Sequence, residues 1–485
     1  MSAPTRRHVL AGSTGLLALG WEAPDAFAAS RRSDPPPSAW AALDARMAGR
    51  VLVPSASAYP TAKQLYNPRW DVMVPLAVVQ PNTVADVQEA MRFSASYGLV
   101  VAPRSGGHCY VGSSTGNGVM VLDVRALRSV ALNAAKTQAR IGSGSGLYNV
   151  HVALAKAGKT IPTGTCPTVG AAGLTLGGGI GPELRLRGTT ADRLVSARCV
   201  TVDGSLITAS ATQNADLFWS LRGGGGAQTA VVTDLTYLTH PADWLGEFTL
   251  AYPPSAAAQV IAAWAADSAS SHNSTKVTMT LNANATKTAF SVGLHGVTAV
   301  GDEDADCDAL AAMVGVTPLK RHTTQLSYMD AVLDFANGDP TPPRRDFTAG
   351  SDVLQTVTPA SITAIIDVLN EGLRRKVNYQ TLIGPLTGAT RSVSATATAF
   401  PYRNHAALIQ WFCPLPTGAT TAYTAARGWI DYAHTRLGAL SAGGYVNYVE
   451  PGRAVATYFG PNLTRLRAVK AAYDPQNRLK GSVEY

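Results

Sequence analysis

The amino-acid sequence predicts an α+β protein in which strands and helices alternate in the first half and antiparallel strands dominate the second. Between residues 76 and 157, short apolar runs alternate with segments of helical periodicity. From about 245 to 410, segments with two-residue alternation are separated by helical stretches. No internal repeat with a period of about 20–50 residues accompanies these segments, which excludes a solenoid.

The individual elements follow from local patterns. Pro81 closes the first apolar run, and Gly158 ends the last helical segment of the first half. The patterns predict strands at 76–80, 99–102, 119–123, 195–202, 277–281 and 408–412, and helices at 83–96, 149–157 and 361–375.

Composition excludes several classes of protein. The 485 residues are 46% hydrophobic and 15% charged, with a net charge of +8 and five cysteines. The chain is long enough for a large core, too apolar for disorder and too poor in cysteine for a disulfide-stapled miniprotein. Its basic residues are scattered and not interleaved with aromatic residues, so no nucleic-acid interface is predicted. No apolar run of about 18 residues occurs, so no membrane span is predicted.

The N-terminus has the pattern of an export signal. Residues 6–7 are a twin-arginine pair before a weakly apolar stretch, and residues 26–28 read Ala-Phe-Ala, an A-x-A cleavage site. We therefore predict that 1–28 is a signal for the twin-arginine (Tat) export machinery of a bacterium. The protein would fold around its cofactor before export to the periplasmic, cell-wall or extracellular space. Residues 29–59 are predicted to be a linker and N-terminal segment.

Two glycine-rich loops are the strongest candidates for a binding site. Residues 103–110 (PRSGGHCY) follow a predicted strand, and consecutive small residues let several backbone N–H groups converge on a phosphate. Residues 164–181 contain seven glycines, a density that favours a closely bound ligand. The fingerprints of a Rossmann dinucleotide site, a P-loop, a nucleophile elbow and a zinc site are absent, so none of these sites, and no metal, is predicted.

Several motifs occur in an order that resembles one protein family. They are RSGGH at 104–108, CPTVG at 166–170, GGGIG at 177–181, DLFWSLRGGG at 216–225, YVNY at 445–448, YFGPN at 458–462 and YDP at 473–475. Over about residues 60–480, the chain is similar to the berberine-bridge-enzyme-like (BBE-like) group of the vanillyl-alcohol-oxidase flavoprotein superfamily.

This resemblance implies a domain organisation and a cofactor. A PCMH-type FAD-binding domain of two α/β lobes would span 60–241. A substrate domain, a large antiparallel sheet backed by helices, would span 242–440, and a BBE segment, 441–485, would return to the FAD domain. The family pattern further implies FAD held by two covalent bonds, an 8α-histidyl bond to His108 and a 6-S-cysteinyl bond to Cys166. Imidazole and thiolate are nucleophiles able to attack an oxidised flavin.

The resemblance also implies further FAD contacts on the glycine loops and the C-terminal segment. These are Arg104, Ser105, Gly106, Gly107, Cys109, Val169, Gly170, Gly173, Gly177, Gly181, Val232, Tyr458 and Asn462. In the family, a small residue at the position of Val169 accompanies reaction with O2, which favours an oxidase over a dehydrogenase.

The Y-x-N-Y motif supplies the candidate base. Oxidation requires that the substrate lose a proton as its hydride leaves, and we predict that Tyr448 accepts it with assistance from Tyr445. Residues three apart face opposite sides of a regular strand, so one of the two would be buried in the core unless a bulge intervenes. Substrate contacts are predicted in the middle domain, at Tyr402, Arg403, Gln410 and Phe412.

The implied function is an FAD-dependent oxidase of a small molecule. The substrate classes are an alcohol, a hemiacetal or sugar, an amine or a natural-product intermediate, including oxidative ring closure, with O2 reduced to H2O2. Ile180 stands where many family members have tyrosine. This departure keeps open a non-redox cyclase that uses FAD as a scaffold. A dehydrogenase with another electron acceptor and a binding protein without turnover also stay open.

Overall fold

The computed structural model describes residues 34–485, and the predicted signal at 1–28 lies outside the described residues. The strands are β1 (Arg50–Leu52), β2 (Ala77–Gln80), β3 (Val101–Arg104), β4 (Met120–Asp123), β5 (Val130–Leu132), β6 (Gln138–Gly142), β7 (Lys159–Thr160), β8 (Leu194–Val200), β9 (Leu206–Ser210), β10 (Val231–Leu238), β11 (His240–Pro241), β12 (Leu245–Tyr252), β13 (Lys276–Ala283), β14 (Ser291–Ala299), β15 (Lys320–Leu326), β16 (Asp346–Leu354), β17 (Tyr379–Pro385), β18 (Ala407–Leu415) and β19 (Ser441–Gly443).

The helices are α1 (Pro37–Ala45), α2 (Tyr59–Ala62), α3 (Val84–Tyr97), α4 (Leu147–Ala155), α5 (Ala171–Leu176), α6 (Leu184–Arg187), α7 (Ala215–Ser220), α8 (Ala257–Ser270), α9 (Glu303–Val314), α10 (Tyr328–Phe335), α11 (Pro359–Arg374), α12 (Thr420–Leu437), α13 (Ala456–Phe459) and α14 (Leu463–Tyr473). Within the described part of the chain, no helix has both the length and the apolar character needed to cross a membrane.

The first lobe is a four-stranded sheet in the order β1-β2-β4-β3, in which β4 pairs in parallel with β2 and β3. Helix α3 connects β2 to β3 and begins where the sequence predicts it. Thr83 and Asp86 form a capping box at its start, and Gly98 adopts the left-handed conformation (φ +62°) that ends it.

The segment at 29–59, predicted to be a linker, is in part built into this lobe. Strand β1 pairs with β2 along the sheet edge. The Trp40 ring on α1 packs 4.7 Å from the Phe93 ring on α3. The lobe therefore starts before residue 60, because an exposed sheet edge and an apolar helix face are both covered by this segment.

The second lobe is a five-stranded sheet in the order β5-β6-β10-β8-β9, which is antiparallel throughout. The C-terminal segment returns to the first lobe, where the backbone N–H of Val101 donates to Arg478 (2.8 Å) and Lys480 donates back to Val101 (2.9 Å). The two lobes and this returning segment enclose the two glycine-rich loops.

The middle region forms an eight-stranded antiparallel sheet in the order β15-β12-β14-β13-β17-β18-β16-β19. One face packs on helices in the largest apolar core of the described chain, and Trp411 is fully buried there. Gln410 and Phe412, its neighbours on β18, lie on the other face because side chains alternate along a strand. This second face covers the glycine-rich loops, so the sheet forms one wall of the site.

Candidate active site

The first glycine loop presents a concave set of backbone donors. None of the backbone N–H groups of Gly106, Gly107, His108 and Cys109 donates a hydrogen bond to another group of the described chain. Gly107 adopts φ +71°, which turns successive N–H groups toward one side. Such a nest binds anionic oxygen atoms.

Other groups around the same cavity also lack internal partners. Ser143 and Ser482 line the cavity. Their hydroxyl groups are buried and have no hydrogen-bond partner among residues 34–485. Lys480 adds a positive charge to the lining. Free amides, free hydroxyls and a cation match the pyrophosphate and ribityl chain of FAD, so the residues present fit this cofactor.

The two glycine loops lie against each other at the cavity. A Cβ atom on Gly106 would lie 2.3 Å from the backbone nitrogen of Gly170, a distance at which only glycine fits. Helix α5 begins directly after Gly170, so the second loop is fixed at a helix N-terminus. Close packing thereby places His108 and Cys166 on one cavity.

The environment of His108 keeps its imidazole neutral. The ring stacks on Tyr66 with a centroid distance of 4.0 Å, and Nε2 lies 2.9 Å from the Thr168 hydroxyl. Burial, together with the positive charge of Arg345, lowers the pKa of His108 to about 3. In the tautomer whose Nε2–H donates to the Thr168 hydroxyl, Nδ1 has the free lone pair needed for bond formation.

Cys166 opens into the same cavity, where its side chain is exposed. Desolvation by the cavity walls raises the pKa of this thiol, and the Arg345 guanidinium opposes that rise. Arg345 thus acts electrostatically on both predicted attachment residues. Sequence reasoning missed it, because it directly precedes β16, about 180 residues after Cys166.

Most of the predicted FAD contacts reach the cavity. The structure places on its lining Arg104, Ser105, Gly106, Gly107, Cys109, Val169, Gly170, Gly173 and Val232. Arg104 is held below the loop by an ion pair with Asp123 (2.8 Å), so it positions the loop as well as lining the cavity.

Four predicted contacts lie outside the lining and are corrected. Gly177 and Gly181 leave room for Asn447 and for the Thr163 carbonyl, since a Cβ atom on either glycine would overlap them. The Tyr458 hydroxyl accepts a hydrogen bond from the backbone of Glu450 (3.0 Å), and the Asn462 side chain donates to backbone carbonyls at 395–399. Gly177, Tyr458 and Asn462 thus support the C-terminal segment, and Gly181 allows close packing within the second glycine loop.

The two tyrosines of the Y-x-N-Y motif share one side of the backbone. Val446–Tyr448 forms a turn of 3₁₀ helix, and its three residues per turn bring positions 445 and 448 together. The two rings meet edge to face at 5.0 Å. Both line the cavity, and the predicted separation by a strand is wrong because no strand forms here. Tyr445 is nevertheless also part of a buried apolar cluster with Phe400 and Tyr402, as expected for one of the pair.

Their hydroxyl groups have different surroundings. The Tyr445 hydroxyl oxygen accepts hydrogen bonds from Gly179 N and Asn447 Nδ2, each at 2.9 Å. No group of the described chain is hydrogen-bonded to the Tyr448 hydroxyl. Burial raises the pKa of Tyr445 to about 12, with the hydrogen bonds opposing this rise, and raises the pKa of Tyr448 further. Of the two phenolates, only that of Tyr445 has donors to stabilise it.

The sheet wall opposite these tyrosines is aromatic. Gln410 donates to the Tyr110 hydroxyl (2.6 Å), and the Tyr110 ring stacks on Tyr448 at 5.6 Å. Phe412 stacks on Phe347 at 5.0 Å. Gln410 and Phe412 thus lie on the wall beside the cavity without lining it, and their predicted substrate contacts stay a prediction. Tyr66, Tyr110, Phe347 and Asn447 were missed, although two of them lie inside the quoted motifs.

Tyr402 and Arg403 do not contact the cavity, which corrects their predicted role. The Tyr402 hydroxyl donates to the Thr457 carbonyl. Arg403 is fully buried and forms two 2.7 Å hydrogen bonds with the Asp192 carboxylate. This ion pair joins the substrate sheet region to the FAD domain, so both residues are structural.

Comparison with known proteins assigns two segments to described families. Residues 75–210 match the family model of an FAD binding domain, and residues 444–480 match that of berberine and berberine-like proteins. The chain is 28% identical to a carbohydrate oxidase from Microdochium nivale, covering 88% of this chain and 91% of that one. It is 29% identical to a chitooligosaccharide oxidase from Gibberella zeae, covering 83% and 85%. The structure of BBE-like 1 from Physcomitrella patens is 26% identical and superposes with a TM-score of 0.81, covering 92% and 98%.

The FAD binding domain match and the relatives that are oxidases show that the chain is an FAD-linked oxidoreductase, and the nest and free hydroxyls of the cavity fit FAD. The two matched segments, and the similarity to carbohydrate oxidases and to a BBE-like structure over most of the chain, support a BBE-like protein with a PCMH-type FAD-binding domain.

Proposed function

We propose that this protein is an oxidase that converts a hydroxyl-bearing carbon of a sugar, in its hemiacetal form, to a carbonyl and passes the electrons to O2. Sugar substrates are supported by the names of two relatives, which are carbohydrate and chitooligosaccharide oxidases. When bound, FAD supplies the acceptor for the substrate hydride and returns the two electrons to O2, which takes up two protons to give H2O2.

The observation that carries this proposal is the Tyr445 hydroxyl with its two donors. A substrate hydroxyl must lose its proton as the C–H bond breaks, and a base at that oxygen needs a stabilised anion. Gly179 N and Asn447 Nδ2 provide that stabilisation at Tyr445. We therefore propose that Tyr445 accepts the substrate proton and that Tyr448 assists it. This reverses the roles predicted from the sequence.

The aromatic wall suits a ring with apolar C–H faces and polar edges. Tyr110 and Tyr448 stack on each other, and Phe412 lies between Phe347 and the Arg345 guanidinium, so a sugar ring would pack against the outer side of this aromatic wall. The Gln410 side chain fixes the Tyr110 hydroxyl and has an amide oxygen left to accept a hydrogen bond from a sugar hydroxyl. These groups would bind and orient the sugar, and Tyr445 would accept the proton of the substrate hydroxyl.

We also propose that FAD is attached through both His108 and Cys166. Support comes from the neutral imidazole of His108, held at Nε2 by Thr168, and from a thiol exposed on the same cavity. Attachment within the cytoplasm would precede export, and we propose that the twin-arginine signal at 1–28 directs that export. Fusing 1–28 to a reporter secreted only by the Tat route tests the signal.

A spectrum and a peroxide assay test the proposed function. The purified protein should be yellow, retain its colour after acid precipitation, and produce H2O2 from mono- or oligosaccharides in a panel that also contains alcohols and amines. Tyr445→Phe should lower the rate of peroxide production by at least about 100-fold while keeping the bound flavin. If flavin is reduced anaerobically by a sugar but O2 does not reoxidise it, the protein is a dehydrogenase. If no compound of the panel bleaches the flavin, the oxidase proposal is rejected.

A further inference from the structure

A second cluster of polar side chains lies on the substrate sheet, outside the cavity described above. Glu247 on β12 and His295 on β14 point to the same face of the sheet, because the register pairs Thr249 with His295 and Glu247 with Val297. Asp334 on α10 covers them. One ligand atom from each of the three residues lies within 4.8 Å of the other two.

Several polar atoms in this cluster lack hydrogen-bond partners in the described chain. Glu247 is only 7% exposed, yet its Oε2 has no partner. His295 Nε2 lies 3.0 Å from Glu247 Oε1 but is not aligned as a donor to it, and it too has no hydrogen-bond partner. The hydroxyl of Thr249, directly beside His295 in the register, is buried and also without a partner. Burying such groups without partners costs free energy, so their convergence needs an explanation.

We propose that Glu247, His295 and Asp334 bind a divalent transition-metal ion, with zinc as the reference ion. Two carboxylates and one imidazole neutralise a +2 charge and form a donor set typical of Zn²⁺ and related ions. A metal ion would bind His295 Nε2 and Glu247 Oε2, the two buried atoms of the cluster that have no hydrogen-bond partner in the described chain.

The position of the cluster indicates a structural role. Glu247 is buried and Asp334 is exposed, so an ion enters from solvent and closes the contact between helix and sheet. The same helix carries Tyr328, whose hydroxyl is bonded to Thr160 of the FAD domain at 2.8 Å. A metal at this point fixes α10 on the sheet and thereby the contact of the substrate sheet with the FAD domain.

The residues come from three elements that are far apart in sequence, which is why motif spacing did not predict a metal. The site does not depend on the proposed oxidase activity, since none of its residues lines the cavity near Tyr445. Its test therefore uses metal binding and stability as readouts.

The experiment uses the full-length, flavin-loaded protein with any affinity tag removed, stripped with a chelator and dialysed. Zn²⁺ is titrated by calorimetry, and Co²⁺ by its visible bands above about 550 nm, where oxidised flavin does not absorb. We expect one ion per chain and a rise in the melting temperature on adding the ion. Asp334→Asn and His295→Ala should weaken binding by more than roughly 100-fold, since loss of outer-shell partners alone costs about 10- to 100-fold.

Asp330→Asn is the matched control, because Asp330 is an exposed carboxylate on the same helix that is outside the cluster. It should bind the ion as the wild type does. Asp334→Asn is isosteric at an exposed position, so it keeps the test decisive even if His295→Ala fails to fold. The proposal is overturned if the wild type binds no ion, or if Asp334→Asn and Asp330→Asn bind it equally. If the wild type binds no ion, Glu247 and His295 only contact each other as a side-chain pair.

Discussion

Removing one donor from the Tyr445 hydroxyl should slow substrate oxidation by a predictable amount. Two hydrogen bonds of 2.9 Å reach this oxygen, and Asn447 supplies one of them. A hydrogen bond to a charged group contributes about 1.5–3 kcal/mol. Asn447→Leu keeps the side-chain size and removes that donor, so we expect flavin reduction to slow by about 10- to 150-fold.

The tyrosine substitutions set the limits of this effect. Tyr445→Phe removes the base itself and should slow reduction by about 10²- to 10⁴-fold. Tyr448→Phe is the matched control, because the same atom is removed from the adjacent ring, where no hydrogen bond within the described chain is lost. We expect Tyr448→Phe to slow flavin reduction by less than about 10-fold.

The assay is anaerobic stopped-flow reduction of the bound flavin, with the best sugar from the peroxide screen, across a pH series. Burial already raises the pKa of Tyr445 to about 12, so the rate should rise with pH throughout the accessible range, and Asn447→Leu should lower it by a similar factor at every pH. A defect confined to sugar binding would raise the half-saturating sugar concentration and leave the limiting rate of flavin reduction unchanged. A larger loss in Tyr448→Phe than in Tyr445→Phe would refute the assignment of the base.

Substitutions at four further residues test attachment and stability. Flavin should stay with the denatured protein in His108→Ala and in Cys166→Ala and be released only in the double variant; release from either single variant would argue against two bonds. Arg403→Met leaves Asp192 buried without its partner and should lower the free energy of unfolding by about 3–5 kcal/mol in urea titrations, whereas a change below about 0.5 kcal/mol would contradict a buried ion pair. Burial alone lowers the pKa of His434, but hydrogen bonds to two buried carboxylates raise it to about 9. Its stabilisation is therefore complete below about pH 6.5 and lost as the pH rises through 9, by up to roughly 3 kcal/mol. This loss should be absent in His434→Gln; an equal loss there would assign it to other groups.

Local sequence was sufficient to predict the short-range parts of the fold. Thr83 and Asp86 cap α3 because they are three residues apart, and Gly98 ends it because glycine tolerates the left-handed conformation. The nest at Gly106–Cys109 likewise needs only consecutive small residues in one loop. The order of motifs then indicated the flavoprotein family, the FAD cavity and the residues nearest to it.

The remaining features depend on contacts between distant segments. Gln410 meets Tyr110 across 300 residues, and Arg403 meets Asp192 across 211. Such pairs depend on the register of β18 and on how the sheet docks against the FAD domain, and neither is encoded in the residues flanking each position. Arg403 in the sequence looks like a free polar side chain next to a pocket strand. Packing makes it a buried ion pair, because a charge excluded from water is stable only beside an opposite one.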